Sequence, residues 1–167
     1  MKKFFLALFL VTLPALPALA WPACVVGVTD GDTITVEPTD GGVRVKVRLH
    51  GIDAPERKQA HGEVARNFVS SIALYKVVDV RPTPQRTDRY GRVVAIVEIP
   101  EQGILQELLL KNGLAWVHPK YCKDCGDWYA MQDTSRVRGF GVWSNQDSVP
   151  PWEWRKGNKS KEPICVN

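Results

Sequence analysis

Val43-Arg44-Val45-Lys46-Val47-Arg48-Leu49 alternates apolar and cationic residues with strict period two. Successive side chains of a strand point to opposite faces, so this run reads as a half-buried strand, valines inward and the three cations outward. Working back from it, Thr39-Asp40-Gly41-Gly42 is a turn and Thr33 to Glu37 a strand. Asp30-Gly31 is a second turn, preceded by a β-branched strand from Val25 to Thr29. Working forward, Gly51 to Pro55 is a loop, and from Glu63 the period changes. Val64, Phe68 and Ile72 recur at i, i+4 and i+8, flanked by Ala65, Val69 and Ala73, which predicts a helix with one apolar face. Val77 to Val80 is a strand, Arg81 to Arg92 a loop rich in Pro, Thr and Asp, and Val93 to Ile99 a central strand of nearly continuous apolar character. Ile104 to Lys111 is a helix ended by Asn112-Gly113, Leu114 to Val117 is a short apolar run, and a last helix runs from Asp127 to Arg138. Short strands joined by tight turns, with a helix after the third, predict an α+β, mainly β fold: a five-stranded OB-type barrel with about three helices.

The two ends read differently from the middle. Lys2 and Lys3 precede an apolar run from Phe4 to Leu16, and Ala18-Leu19-Ala20 has small-x-small spacing, so residues 1–20 read as a signal peptide. Pro14 and Pro17 argue against a retained membrane helix. The expectation is an exported protein, periplasmic or secreted, free of the membrane once cleaved. Residues 21–147 would form the domain, and 148–167 an extended, exposed polar tail carrying Pro150-Pro151, tied back by a disulfide. Without Lys2 and Lys3 the chain holds 20 basic against 18 acidic side chains, so bulk charge does not announce a nucleic-acid binder. A hydrophobic fraction of 44% with 24% charged residues excludes disorder, collagen and coiled coil.

Cys24, Cys122, Cys125 and Cys165 all follow the signal segment, and an even number in an exported chain suggests disulfides. Of the three possible pairings, Cys24 with Cys165 and Cys122 with Cys125 is preferred, the first clamping the chain ends. A structural zinc site would need a second C-x-x-C, and a thioredoxin-like motif would come early, at the start of a helix.

Three clusters carry chemistry. Asp30-Gly31-Asp32-Thr33 is either a plain hairpin turn or two carboxylates offered to a hard divalent cation. Arg48-Leu49-His50-Gly51-Ile52-Asp53-Ala54-Pro55-Glu56 sets a strand cation and two carboxylates around a loop stiffened by Pro55. Asp53 and Asp32 could share one cation while Glu56 handles a proton from water. Arg86-Thr87-Asp88-Arg89-Tyr90-Gly91-Arg92 is either a solvated cationic loop or a phosphate grip, three planar guanidinium groups beside a ring on which a base could stack.

D-G-D-T, R-L-x-G-I-D-A-P-E, R-T-D-R-Y-G-R, N-G-L-A and G-V-W-S, spanning Val25 to Ser144, together resemble the thermonuclease (staphylococcal nuclease) family. The resemblance implies an OB-fold barrel with three helices and a calcium-dependent phosphodiesterase that cuts DNA and RNA with little base preference, leaving 3′-phosphates. It implies Arg48, Glu56 and Arg92 as the catalytic group, and Asp32, Asp53 and the backbone carbonyl of Ala54 as calcium ligands. It implies Tyr90, with Arg89 beside it, and Tyr121 as residues facing the nucleotide. The expected assembly is a monomer. A rival reading, a non-catalytic barrel that holds single strands, would need the basic strand and Tyr90 but leaves Asp32, Asp53 and Glu56 without a purpose.

Overall fold

The computed structural model describes residues 20–157 with the exception of Asp124. The signal segment up to residue 19 and Cys165 therefore lie outside the described residues, and with them the Cys24–Cys165 pairing.

Strands β1 (Trp21–Asp30), β2 (Thr33–Pro38) and β3 (Val45–Leu49) form an antiparallel meander whose register sets Val25 against Val36 and Thr33 against Arg48. Later in the chain, β5 (Val77–Thr87) pairs antiparallel with β1 and with β6 (Val93–Ile99). The sheet then closes: β6 runs parallel to β3, with Val47 opposite Val93 and Leu49 opposite Ala95. The result is a closed five-stranded barrel. Alternate residues fill it, and Val25, Ile34, Val36, Val47, Val78, Val80, Ala95 and Val97 are all fully buried. Removing that apolar surface from water is the main driving force for closure.

A separate two-stranded pair is formed by β4 (Ile52–Asp53) and β8 (Trp116–Val117), and β7 (Gly103–Ile104) pairs antiparallel with the end of β6. Among the described residues the longer helices are α1 (Gly62–Ala73), α2 (Leu105–Lys111) and α3 (Gly126–Val137), and a single turn, α4 (Pro151–Trp154), follows. Helix α2 buries Leu105, Leu109 and Leu110, and also Gln106, whose amide donates to the Ala95 carbonyl (3.0 Å) and accepts from the Val97 N–H (3.3 Å). The buried amide is thus paired on both sides, as its burial requires.

Between residues 20 and 147 three expectations need correction, and the apolar face expected of α1 is refined. The first strand begins at Trp21, because residues 21–24 already pair with β5. Val43 lies outside β3 and is 84% exposed, so the inward valines begin at Val45. On α1 the stripe turned to the barrel is Ala65, Val69 and Ala73, while Val64 is 54% exposed and Phe68 and Ile72 are half-buried. Both stripes have helical period; small side chains won the inner one because they let the helix approach the barrel closely. Finally, Arg81 to Thr87 is strand, not loop. Its register is irregular between Pro82 and Thr87, where prolines that cannot donate are accommodated, and the Thr83 hydroxyl donates to the Val94 carbonyl (3.2 Å).

Candidate active site

The site is built where three backbone segments are pressed together. Gly31 in the β1–β2 turn has no side chain, and a Cβ there would lie 2.8 Å from the Cβ atoms of both Ala54 and Ala65. This contact of small residues brings the Asp32 turn, the loop after β4 and the first turns of α1 into one place. The chain leaving β3 is held by three backbone bonds: Leu49 N–H to the Asp32 carbonyl, His50 N–H to the Ala95 carbonyl, and His118 N–H to the Gly51 carbonyl. Gly51 itself has φ +73°, a left-handed conformation that favours glycine, and a Cβ would meet Cys122 Sγ at 2.8 Å.

On that frame Arg48 leaves the outer face of β3 and its Nη2 donates to Asp53 Oδ1 (2.8 Å) and reaches Asp32 Oδ2 (3.1 Å). Its Nη1 donates to the Leu49 carbonyl (2.9 Å). Asp32 and Asp53 are 6% and 1% exposed, so both carboxylates lie in a low-dielectric place shielded from water, where charge must be compensated. Asp32 Oδ2 also accepts the Ala54 N–H (2.7 Å), and Oδ1 accepts the Thr33 hydroxyl (3.1 Å). Burial, helped by the charge of Asp32, raises the Asp53 pKa, against the pull of Arg155 and Arg48. Asp30, half-buried beside Asp32, is pushed up to about 7 by its partial burial and by the Asp32 charge.

Arg92 enters from the start of β6. Its Nη1 donates to Thr33 Oγ1 (3.2 Å), so Thr33 joins it to Asp32, and its Nε donates to Asp88 Oδ2 (2.7 Å). Burial would raise the Asp88 pKa, but the hydrogen bonds from Arg92 and from the Tyr90 backbone outweigh it and hold the carboxyl low. Tyr90 is 68% exposed, with the Arg89 guanidinium 4.8 Å and the Arg92 guanidinium 5.4 Å from its ring centre. Tyr121 is exposed in the β8–α3 loop, its ring tilted 50° against that of His118 with centroids 4.6 Å apart. Cys122 and Cys125 in that loop have Cα atoms 5.4 Å apart and facing sulfurs, the geometry of a bridged pair.

The structure thus brings Arg48, Asp32, Asp53, Ala54, Glu56 and Arg92 to one end of the barrel, with Arg89 and Tyr90 beside Arg92 and Tyr121 beside His118. Two further participants have no signature in the sequence. Gln59, 7% exposed, accepts the Glu56 N–H through Oε1 (3.1 Å) and donates through Nε2 to the Val149 carbonyl (2.6 Å). Arg155 donates through Nη2 to Asp53 Oδ2 (2.6 Å) and through Nη1 to Glu56 Oε1 (2.6 Å). The segment from 148 is therefore not an extended tail where it is described: it makes a helical turn over residues 151–154, with Trp152 against His118 at 4.9 Å, and returns a cation to the acids. Burial, with the charges of Arg48 and Arg155, lowers the His118 pKa.

Among the described residues no group of three or more His, Cys, Asp or Glu side chains is arranged as a ready metal cage. The donor chemistry nevertheless fits a hard cation: two buried carboxylates, linked through Arg48 and the Ala54 amide, already require positive charge.

Comparison with known proteins agrees with the fold and the motifs. The family described as staphylococcal nuclease homologue matches residues 46–145. An Escherichia coli protein named uncharacterized endonuclease is 39% identical over 131 residues, 78% of this chain and 82% of that protein. A Haemophilus influenzae protein of the same name is 36% identical over 135 residues, 81% of this chain and 73% of that one. A micrococcal nuclease of Shigella flexneri is 33% identical over 145 residues, covering 81% of both. With a closed mainly β barrel, a basic–acidic cluster at one end and these relatives, the chain belongs to the staphylococcal nuclease family and is a nuclease.

Proposed function

We propose that this nuclease is an exported, calcium-dependent phosphodiesterase, monomeric, that hydrolyses DNA and RNA with little sequence preference and leaves 3′-phosphates. The observation that carries this reading is the convergence of Arg48, Arg92, Asp32, Asp53 and Glu56 on one barrel end, cations and acids within one network. A module that only held single strands would gain nothing from burying Asp32 and Asp53.

Asp32, Asp53 and the Ala54 carbonyl would hold the ion, which when bound withdraws negative charge from a phosphoryl oxygen. Arg48 approaches from β3 and Arg92 from the end of the β5–β6 loop, so two planar forks can grip one phosphate on two sides and meet the charge that grows on its oxygens. Glu56, partly exposed, takes the proton of an attacking water or positions that water. Exposed Tyr90 offers an aromatic surface for a base or sugar, and the two arginines against its ring meet the backbone. None of these contacts reads a base edge, which accounts for broad substrate choice. The signal-like residues 1–20 support export.

The test is degradation of single-stranded DNA on adding calcium, lost in chelator, by wild type and Asp32→Ala. Asp32→Ala should need more calcium and turn over more slowly, and zinc should not replace calcium at an all-oxygen site. Equal cutting by both proteins at low calcium would reject the ligand assignment.

A further inference from the structure

Arg155 is the cation that neither the barrel nor the motifs supply. It lies 99 residues beyond Glu56 in the chain, yet one guanidinium bridges Glu56 Oε1 and Asp53 Oδ2, each at 2.6 Å, with a weaker approach to Asp53 Oδ1 at 3.4 Å. Both Asp53 oxygens are consequently occupied by guanidinium hydrogen bonds, Oδ1 by Arg48 and Oδ2 by Arg155. An ion that takes Asp53 as a ligand must share or displace one of them. Arg48 is the fixed one: its side chain is 16% exposed, and it leaves a barrel strand paired on both edges. Arg155 is the replaceable one, 47% exposed and carried on the segment after α4.

Resting on the reading that Asp32 and Asp53 hold a divalent ion, we propose that Arg155 is a built-in counter-cation that competes for Asp53 and Glu56 and thereby sets the affinity of the site for that ion. The segment that delivers it is anchored without it. Val149 is bonded to the buried Gln59, Pro151 is buried, and Trp152 packs on His118. Removing the guanidinium therefore changes the charge at the site and leaves the strap in place. Arg155 acts as a positioning residue through Asp53 and Glu56. It keeps two acids compensated when no ion is present, and it weakens binding when one arrives.

The direction follows from charge. Asp32, Asp53 and Glu56 oppose Arg48 and Arg155, so loss of Arg155 leaves a more anionic site. A unit charge and a divalent ion a few ångströms apart interact, even with strong solvent screening, by enough to shift a binding constant about tenfold. The experiment is calorimetric titration of calcium into the full protein, comparing wild type, Arg155→Gln, Arg155→Lys, and Asp32→Asn in the wild-type and Arg155→Gln backgrounds. Thermal melts in chelator establish that each variant is folded. Arg155→Gln should bind calcium about five- to tenfold more tightly, and Arg155→Lys, which keeps the charge but cannot bridge both acids, should gain less. Unchanged or weaker binding in Arg155→Gln overturns the proposal, as does a gain in Arg155→Lys equal to that in Arg155→Gln. If Asp32→Asn abolishes binding while Arg155→Gln does not tighten it, only the role of Arg155 falls. If Asp32→Asn leaves binding intact, the ion sits elsewhere, and the cation-site reading falls with the proposal.

Discussion

Replacing Arg48 with lysine keeps the charge and removes the fork, which separates the geometry of the site from its electrostatics. In the wild type one guanidinium makes three short contacts, with Asp53 (2.8 Å), Asp32 (3.1 Å) and the Leu49 carbonyl (2.9 Å). A lysine ammonium is a compact point charge on a flexible stem and would retain one of them well. Removing one partner from a buried ion pair costs about 3–5 kcal/mol when the charge is lost outright. Here the charge stays and Arg155 still serves Asp53, so a loss of about 1–3 kcal/mol is expected, a fall in Tm of about 3–10 °C for a domain of this size. Turnover should suffer more. Phosphoryl oxygens gain charge as the bond to water forms, so a donor aimed at them acts chiefly in the transition state, and losing it should slow the reaction at least about a hundredfold. Single-turnover cleavage of a labelled single-stranded oligonucleotide, with enzyme in excess and calcium saturating, measures this step directly. Affinity for the same oligonucleotide in chelator, read by fluorescence anisotropy, should change only a few-fold, because other phosphate contacts remain. Turnover within a few-fold of wild type together with markedly weaker binding would refute the catalytic assignment and make Arg48 a binding residue.

Asp88→Asn should preserve the turn, since an amide oxygen can still accept the Tyr90 and Arg92 N–H groups, but it removes the charge that steers the Arg92 side chain. Because the Asp88 carboxyl titrates below its ordinary range in the folded state, its stabilising contribution is present above about pH 4 and lost on acidification, so the variant should show a flatter acid limb in pH-dependent melts and a several-fold lower turnover. An acid limb identical to wild type would show that the Asp88–Arg92 pair adds nothing to stability. Gly31→Ala should cost about 1–3 kcal/mol, because the methyl group would press on two stiff alanine side chains, and a Tm equal to wild type would contradict that packing. Breaking the Cys122–Cys125 bridge with a double alanine substitution should cost about 2 kcal/mol, small because the loop it closes is short; two titratable thiols at these positions in the native, unreduced protein would disprove the bridge.

Much of the barrel was legible because its strands obey local rules. Lys46 and Arg48 lie outward and Val47 and Leu49 inward, as period two requires, and Val93–Ile99 is strand over the range its apolar run suggested. Where two local patterns competed, periodicity could not decide. The stripes 64/68/72 and 65/69/73 on α1 repeat identically, and only the depth of the barrel surface selects the one with alanines. Strand β5 was hidden for a different reason: Pro82 and Pro84 resemble loop residues until a partner strand is known to tolerate a bulge there. The acids and arginines of the candidate site stand out in the sequence because most lie in short motifs next to turns. Arg155 and Gln59 could not, since an isolated cation in a polar run and a glutamine before a helix acquire meaning only when Val149 and Asp53 come within reach of them.

The parallel seam between β3 and β6 links these two levels. Val47 and Val93 are opposite one another and pack toward the core, so Arg48, the next residue of β3, and Arg92, the residue just before β6, come close across the seam. The antiparallel register on the other edge of β3 sets Thr33 against Arg48, and the Thr33 hydroxyl then accepts from Arg92 while donating to Asp32. Two arginines separated by 44 positions and an aspartate from the β1–β2 turn are thereby brought together by strand pairing and held by the Thr33 hydroxyl between them. Groups held on rigid strands need little reorganisation when charge develops between them, which is the condition under which electrostatic stabilisation is most effective. The same pairing that closes the barrel therefore brings together the two arginines proposed to grip the phosphate, and in this fold the geometry of the candidate site depends directly on the completion of the core.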